Sequence, residues 1–300
     1  MWQPEAAWEP VPGGTGPSTV GVWRYESGGR GYVVKRLEPP RPGDPHELAD
    51  PHHSAYWRRA ADVARSGAVT DTPGLRAPHV EVQEDAEGVT LVQPEVDAAS
   101  NGGLFVAHNL ARFAGADLGD VPWLAGDQLR QRLARTERLG GWPTLARTTV
   151  ADLAFRIWER RPVLMAALDA LPQVPQHGDP VPDNLRGRLG DDVLAIDWST
   201  VGTGPVGADL GYWALSAREE YDPLVDAYCG GLPPGVADRE QVLLGARITT
   251  VYTVLSRAEW ALARAAMGEG ALAGKYRHPA VAPHLRALQR HFPQIESLLG

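Results

Sequence analysis

The chain has 300 residues, enough for one large domain or two lobes around a sizeable core. Apolar residues make up 43% and charged residues 22%, the balance of an ordinary globular protein, and a net charge of −8 leaves no basic surplus for binding a phosphate backbone, so no nucleic-acid partner is expected. A single cysteine, Cys229, excludes an intrachain disulfide or a cysteine-based metal cluster.

In chain order, "MWQPEAAWEP" has neither the basic nor the apolar stretch of a secretory signal. "PGGTGPST" (Pro12–Thr19) is a glycine-rich turn. Thr19–Tyr25 and Tyr32–Leu37 are β-branched and aromatic runs separated by "ESGGRG", which predicts an antiparallel hairpin. After a proline-rich loop, "HHSAYWRRAADVARSG" has helical spacing and a terminal glycine. "HVEVQ" and "VTLVQPEV" predict two further strands. Beyond "PEVDAAS" the pattern turns helical over "GLFVAHNLARFAGADLG", "GDQLRQRLARTERLGG" and "TVADLAFRIWERRPVLMAALDALP", the last divided at Pro162. A hairpin, "LRGRL" and "VLAID", follows, with Asp191 and Asp192 read as turn residues at its tip. Helices return at "ADLGYWALSARE", from about Asp238 to Met267, and at "VAPHLRALQRHF". The long apolar run is broken by Arg257, Glu259 and Arg264, so it predicts an amphipathic helix with no membrane partner. The expected organisation is a strand-rich unit over 1–95, a hinge near Gln93–Ser100 and a helical unit over 96–300, in a cytoplasmic protein.

The chemistry concentrates in "QHGDPVPDNLRGRLGDDVLAIDWS" (Gln176–Ser199). Asp179 and Asn184 stand in H-G-D-x-x-x-x-N, and Asp197 ends an apolar strand thirteen residues later. This spacing is that of a phosphoryl-transfer site. One carboxylate takes the proton of an acceptor hydroxyl, the role suited to Asp179. An amide oxygen and a second carboxylate, Asn184 and Asp197, supply hard oxygen ligands to Mg²⁺. Asp183, between them, is expected to face solvent. The histidines at 46, 52, 53, 278 and 284 lack the partners and spacing of a zinc site.

The stretch resembles the aminoglycoside phosphotransferase and choline kinase superfamily, whose signature is H-G-D-x-x-x-x-N followed by an I-D-[WF] strand end. Gly204 to Asp209 matches the segment that follows it in the family. The resemblance implies an α+β, bilobal protein-kinase-like fold with a small antiparallel-sheet N-lobe and a larger helical C-lobe. It implies an ATP- and Mg²⁺-dependent kinase acting on a hydroxyl of a small metabolite or antibiotic, as a monomer or homodimer. "IDWSTVGTGPVGADLG" leaves no room for the activation segment of a protein kinase. His177 is then structural and Asp209 braces the loop. Lys35 in "YVVKRL" corresponds to the lysine on the α- and β-phosphates. Thr15 and Ser18 belong to the loop that covers the nucleotide, and Gln93 to Val96 to the hinge that reads the adenine edge.

One departure stands out. Family members pair the strand lysine with a helix glutamate in a W-R-R-E run, and this chain has Ala60 there. Either Glu47 substitutes or Asp197 alone holds Lys35. The departure also motivates an alternative reading, a silent nucleotide-binding module. For the acceptor pocket, Trp198, Tyr212, Trp213, Glu219, Glu259 and Trp260 are among the candidates. The acidic surplus lies in residues 1–100 (15 acids, 9 bases), while residues 201–300 are nearly balanced (10 and 9). A neutral or weakly charged acceptor is therefore expected over a polycation.

Overall fold

A computed structural model describes residues 2–12, 16, 18–96, 100–266 and 276–300. The N-terminal hairpin forms as β2 (Thr19–Ser27) and β3 (Arg30–Leu37), closed by Gly28 and Gly29 at φ of 58° and 76°. Two successive left-handed residues match the twist of the flanking strands, which is why glycine suits both positions. A short β1 (Glu9–Pro10) pairs with β2, so the glycine-rich segment connects these two strands. On the other side of β3 come β6 (Gly88–Pro94) and then β5 (Glu81–Asp85), giving an antiparallel sheet in the order β1-β2-β3-β6-β5.

The first helix is shorter than its sequence pattern predicts: α1 runs only from Arg59 to Ser66 and stops at Gly67. Residues before it form turns, their carbonyls drawn inward onto the Arg59 side chain. Ala61 of α1 packs with Leu37, Val89 and Leu91 under the sheet, with Trp57 and Ala60 at the edge of that cluster. Val63 faces the other way, into the large core.

The chain then crosses over. Leu75–Arg76 (β4) pairs in parallel with β9 (Asp192–Ala195), which is antiparallel to β8 (Leu185–Leu189). Asp192 starts β9 and is buried, unlike the exposed turn residue the sequence suggests. Its carboxylate accepts from the Gly74 amide at 2.9 Å and pairs with Arg76 (2.7 Å) and Arg112 (2.8 Å). It fixes the β4 crossover to the neighbouring ribbon.

The rest is helical: α2 (Gly103–Phe113), α3 (Gln128–Arg138), α4 (Ala151–Glu159), α5 (Arg161–Asp169), α6 (Ala208–Trp213), α7 (Tyr221–Gly231), α8 (Arg239–Ala266), α9 (Ala282–Arg290) and α10 (Phe292–Leu299). Pro162 sits in the first turn of α5, where its missing N–H costs nothing, and so separates α4 from α5. The 28-residue α8 runs through the core, with Val251, Tyr252 and Leu255 fully buried. Between α5 and α6, β7 (Gln173–Gln176) and β10 (Gly202–Pro205) form a two-stranded ribbon. The β7 and β8 ends frame the loop that carries the chemistry. Among the described residues no helix is long and apolar enough to cross a membrane.

Candidate active site

The loop after β7 is held by buried groups on both sides. His177 is fully buried; its Nε2 lies 3.0 Å from the Ile196 carbonyl, and its Nδ1 accepts the Asp179 amide at 3.3 Å. A carbonyl can only accept, so these bonds place the ring proton on Nε2. Trp198 packs against the imidazole at a centroid distance of 4.8 Å. Asp209, in the first turn of α6, accepts the backbone amides of His177 (2.7 Å) and Gly178 (3.1 Å). Complete burial pushes the Asp209 carboxyl up to about 6 against the pull of those amides. Gly178 has φ of 82°, and a Cβ there would lie 2.5 Å from both the Gln128 amide and the Thr200 carbonyl. Only glycine fits this turn without displacement.

From this anchored turn Asp179 and Asn184 meet. The Asn184 amide nitrogen donates to the Asp179 carbonyl and to its Oδ2, both at 3.0 Å. The Asn184 amide oxygen takes no hydrogen bond from a described residue and is left as an oxygen donor. The Asn184 carbonyl accepts the Ile196 amide at 2.8 Å, which ties the loop to the residue before Asp197. Asp197 follows β9 with φ of 57° and ψ of 64°, a left-handed conformation that non-glycine residues seldom adopt. That turn directs its carboxylate across to β3, where Lys35 Nζ lies 2.9 Å from Oδ1. Desolvation raises the Asp197 carboxyl, but the Lys35 charge and hydrogen bonds from Lys35 and Ser199 outweigh it and hold the group below its usual range. The Lys35–Asp197 pair and the Asn184–Asp179 pair are thus joined through the Ile196 backbone.

The helix acid that Lys35 lacks is not replaced by Glu47. That carboxylate pairs with Arg138 at 3.3 Å and His46 at 3.5 Å. Asp62 binds Arg58, one turn back. Ala60 faces the apolar cluster under the sheet, so the α1 surface here is built for packing. Asp197 is the carboxylate that holds Lys35 among the described residues.

A neighbouring residue, silent in the sequence, does much of the local assembly. Arg59 is fully buried and donates to the carbonyls of Trp123 and Pro51 (both 2.6 Å), His53 (2.7 Å), Ser199 (3.0 Å) and Ser54 (3.2 Å). Desolvation lowers its guanidinium to about 10, still charged at neutral pH. Through Ser199 it ties α1 to the turn two residues beyond Asp197. Nothing in the local sequence signals this, because all five acceptors are main-chain oxygens.

The remaining predicted residues are placed as follows. Thr15 lies outside the described residues. Ser18 sits at the base of the glycine-rich segment; its carbonyl accepts the Glu38 amide at 3.0 Å, and its hydroxyl is buried without a partner among the described residues. Gln93 is the penultimate residue of β6, opposite Val33. Val96 approaches Gly187 of β8, so these two residues stand where the sheet hands over to the helical part. Asp183 is exposed and pairs loosely with Arg186 at 3.5 Å.

Below the loop opens a cleft of about 670 Å³ including its mouth, bounded by α3, α5, β7, β10, α6 and α8 and reaching Gly178 and Asp209. Of the aromatic and acidic candidates, Tyr212 lines it. Trp198 and Trp213 are core residues. Glu219 accepts the Gly103 amide, and the buried Glu259 accepts the amides of Thr144 and Leu145, so both cap backbone elsewhere.

A family model described as the phosphotransferase enzyme family matches residues 7–241. Among solved structures, a choline/ethanolamine kinase family protein from Mesorhizobium loti is 17% identical, with 97% of this chain and 92% of that one covered and a TM-score of 0.57. A thermostable mutant of an aminoglycoside phosphotransferase, in ternary complex with ADP and hygromycin B, is 14% identical over 98% and 95% of the two chains, with the same TM-score of 0.57. Amicoumacin kinase in complex with AMP-PNP and Ca²⁺ is 12% identical over 99% and 90%, again at 0.57. These likenesses show the bilobal α+β, protein-kinase-like fold. No curated protein matches the sequence.

Proposed function

The chain belongs to the phosphotransferase enzyme family, and from that premise we propose that it transfers the γ-phosphoryl group of ATP to a hydroxyl of a small metabolite or antibiotic in the cytoplasm. The observation that carries the reading is the convergence of Lys35 on Asp197 at 2.9 Å beside the Asn184–Asp179 pair.

In this reading Asp179 Oδ2, steadied by the Asn184 N–H, accepts the proton as the acceptor oxygen bonds to the γ-phosphorus. The bond from that phosphorus to the bridging oxygen breaks, and ADP leaves. The free amide oxygen of Asn184 and the carboxylate of Asp197 form a hard-oxygen pair that fits Mg²⁺, an ion that otherwise keeps water and phosphate ligands. When bound, Mg²⁺ supplies positive charge against the phosphates. Asn184 adds a ligand without adding negative charge. Lys35 holds the α- and β-phosphate oxygens, and Asp197 keeps its ammonium in position without a helix acid. Asp209 and His177 keep the loop in register and take no part in proton transfer.

The test incubates the protein with Mg·ATP and a panel of hydroxylated compounds, following ADP release and phosphorylated product together. Stoichiometric product, abolished in Asp179→Asn while nucleotide binding persists, is the expected result. Nucleotide binding by the wild type with no transfer to any acceptor would instead identify a silent module.

A further inference from the structure

The cleft beneath the loop carries an electrostatic pattern that goes beyond phosphoryl transfer. Its three carboxylates are already engaged. Asp169 pairs with Arg130, Asp209 takes two backbone amides, and Asp127 lies 3.9 Å from the same Arg130. Two cations at Tyr212, Arg132 on the cleft wall and Arg257 bound to the Tyr212 hydroxyl, have no carboxylate partner among the described residues. Arg257 donates to the Tyr212 hydroxyl at 2.7 Å and lies 4.4 Å from the ring centroid; Arg132 lies 5.0 Å from the same centroid. Tyr212 thereby contacts two guanidiniums, most of whose N–H donors remain unspent.

A second, independent observation comes from α8. Thr249 and Thr253, one turn apart on a single helix face, line this cleft; they are 6% and 1% exposed, and neither hydroxyl has a hydrogen-bond partner among the described residues. Buried hydroxyls are normally paired, so two unpaired ones on residues that line a cleft point to a ligand that pairs them. Fixed guanidiniums in a recess favour a planar or tetrahedral oxyanion over any cation.

We propose that the acceptor carries an oxyanion, a carboxylate or a phosphate monoester, held by Arg132 and Arg257 at the Tyr212 wall, with its own hydroxyls bonded to Thr249 and Thr253. The proposal rests on the phosphotransferase reading and fixes its substrate class. It revises the neutral acceptor suggested by the charge balance of the sequence. Lengthwise charge counts miss it because Asp127, Asp169 and Asp209 are spent on Arg130 and on backbone amides, which leaves Arg132 and Arg257 without a carboxylate partner.

The experiment keeps one pyranose scaffold and varies its charge: glucuronate, glucose 6-phosphate, glucose and glucosamine, titrated against the wild type in thermal-shift scans with Mg·ADP present. At least one of the two anions should bind about tenfold or more tighter than glucose, with glucosamine weakest, and 0.5 M NaCl should erase most of the difference. Which anion binds better separates carboxylate from phosphate recognition. Arg132→Gln with Arg257→Gln should abolish the anion preference, and the Lys/Lys double variant, a control for folding, should keep part of it. Thr253→Val should weaken anion and neutral sugar alike. Equal or better binding of glucose or glucosamine overturns the proposal, as does an anion preference that survives in the Gln/Gln variant, or no response to any of the four. Stabilisation by Mg·ATP alone, read in the same scans, tests the parent reading separately: its failure refutes the kinase, whereas a kinase that prefers glucosamine refutes only the oxyanion.

Discussion

Replacing Arg59 by methionine removes a guanidinium that serves five main-chain carbonyls and leaves an apolar chain of similar length in its place. A buried polar group left without its partner costs about 1–3 kcal/mol, and breaking a buried charged network costs about 3–5 kcal/mol once the surroundings relax. Five orphaned carbonyls set the upper side of that range, and water entering between the turns at residues 51–54 offsets part of it. We therefore expect Arg59→Met to destabilise the protein by about 4 kcal/mol, a large share of the 5–15 kcal/mol typical of a folded chain. The melting temperature should fall by about 6 °C. Arg59→Lys keeps the charge but offers three donors in place of five, so it should lose about half as much. The assay is urea denaturation followed by tryptophan fluorescence, with all three proteins at one pH. A loss below about 1 kcal/mol in Arg59→Met would refute the view that these bonds hold α1 to the Ser199 turn.

Because the Asp209 pKa is raised from 3.8 to about 6 in the folded state, the folded protein holds this proton more tightly than the unfolded chain. The resulting stabilisation is fully present below about pH 4 and lost as pH rises through 6, a span worth about 3 kcal/mol. The stability difference between wild type and Asp209→Asn should shift by that amount between pH 4 and 7, in favour of wild type at the acid end; a difference independent of pH contradicts the assignment. Lys35→Ala should abolish most nucleotide-dependent activity, whereas Glu47→Ala should alter it less than twofold, since Glu47 binds Arg138 and not Lys35; initial rates at saturating Mg·ATP decide. Gly178→Ala forces a Cβ to within 2.5 Å of Gln128 and Thr200 at positive φ, and should cost about 2–3 kcal/mol with a matching loss of kcat; wild-type melting would contradict the packing described.

The parts of the site legible in the sequence are those whose chemistry is local. Asp179 and Asn184 sit in one turn, and a hydrogen bond between them needs only the five-residue spacing. The hairpin that presents Lys35 was legible from Gly28 and Gly29 and the β-branched runs beside them. What escaped was assembled across the chain. Arg59 binds main-chain oxygens, which every residue has, so no side-chain pattern announces it. Asp192 looks like a turn residue beside Gly190, and only the arrival of Arg76 and Arg112 from distant segments makes it a buried anchor. The helical spacing of the residues before α1 predicts an earlier start, and tertiary bonds to Arg59 override that propensity. The acidic acceptor candidates Glu219 and Glu259 lie elsewhere for a similar reason: Glu259 is close in sequence to Arg257, yet its oxygens are spent on the amides of Thr144 and Leu145.

The crossover at β4 bears on how freely the sheet can move over Asp197. A sheet joined to its neighbour by one flexible strap can swing, twist or slide about that strap in any direction. Here the connection is made at three places: where the chain leaves β6 after Pro94, where Leu75 and Arg76 are stitched into the ribbon by Val193 and Asp192, and where Arg59 of α1 binds the Trp123 and Ser199 carbonyls. Three separated attachments oppose rotation as well as sliding. The 2.9 Å contact of Lys35 with Asp197 is thereby set by the mounting of the sheet, and is not left to the attraction of the pair alone.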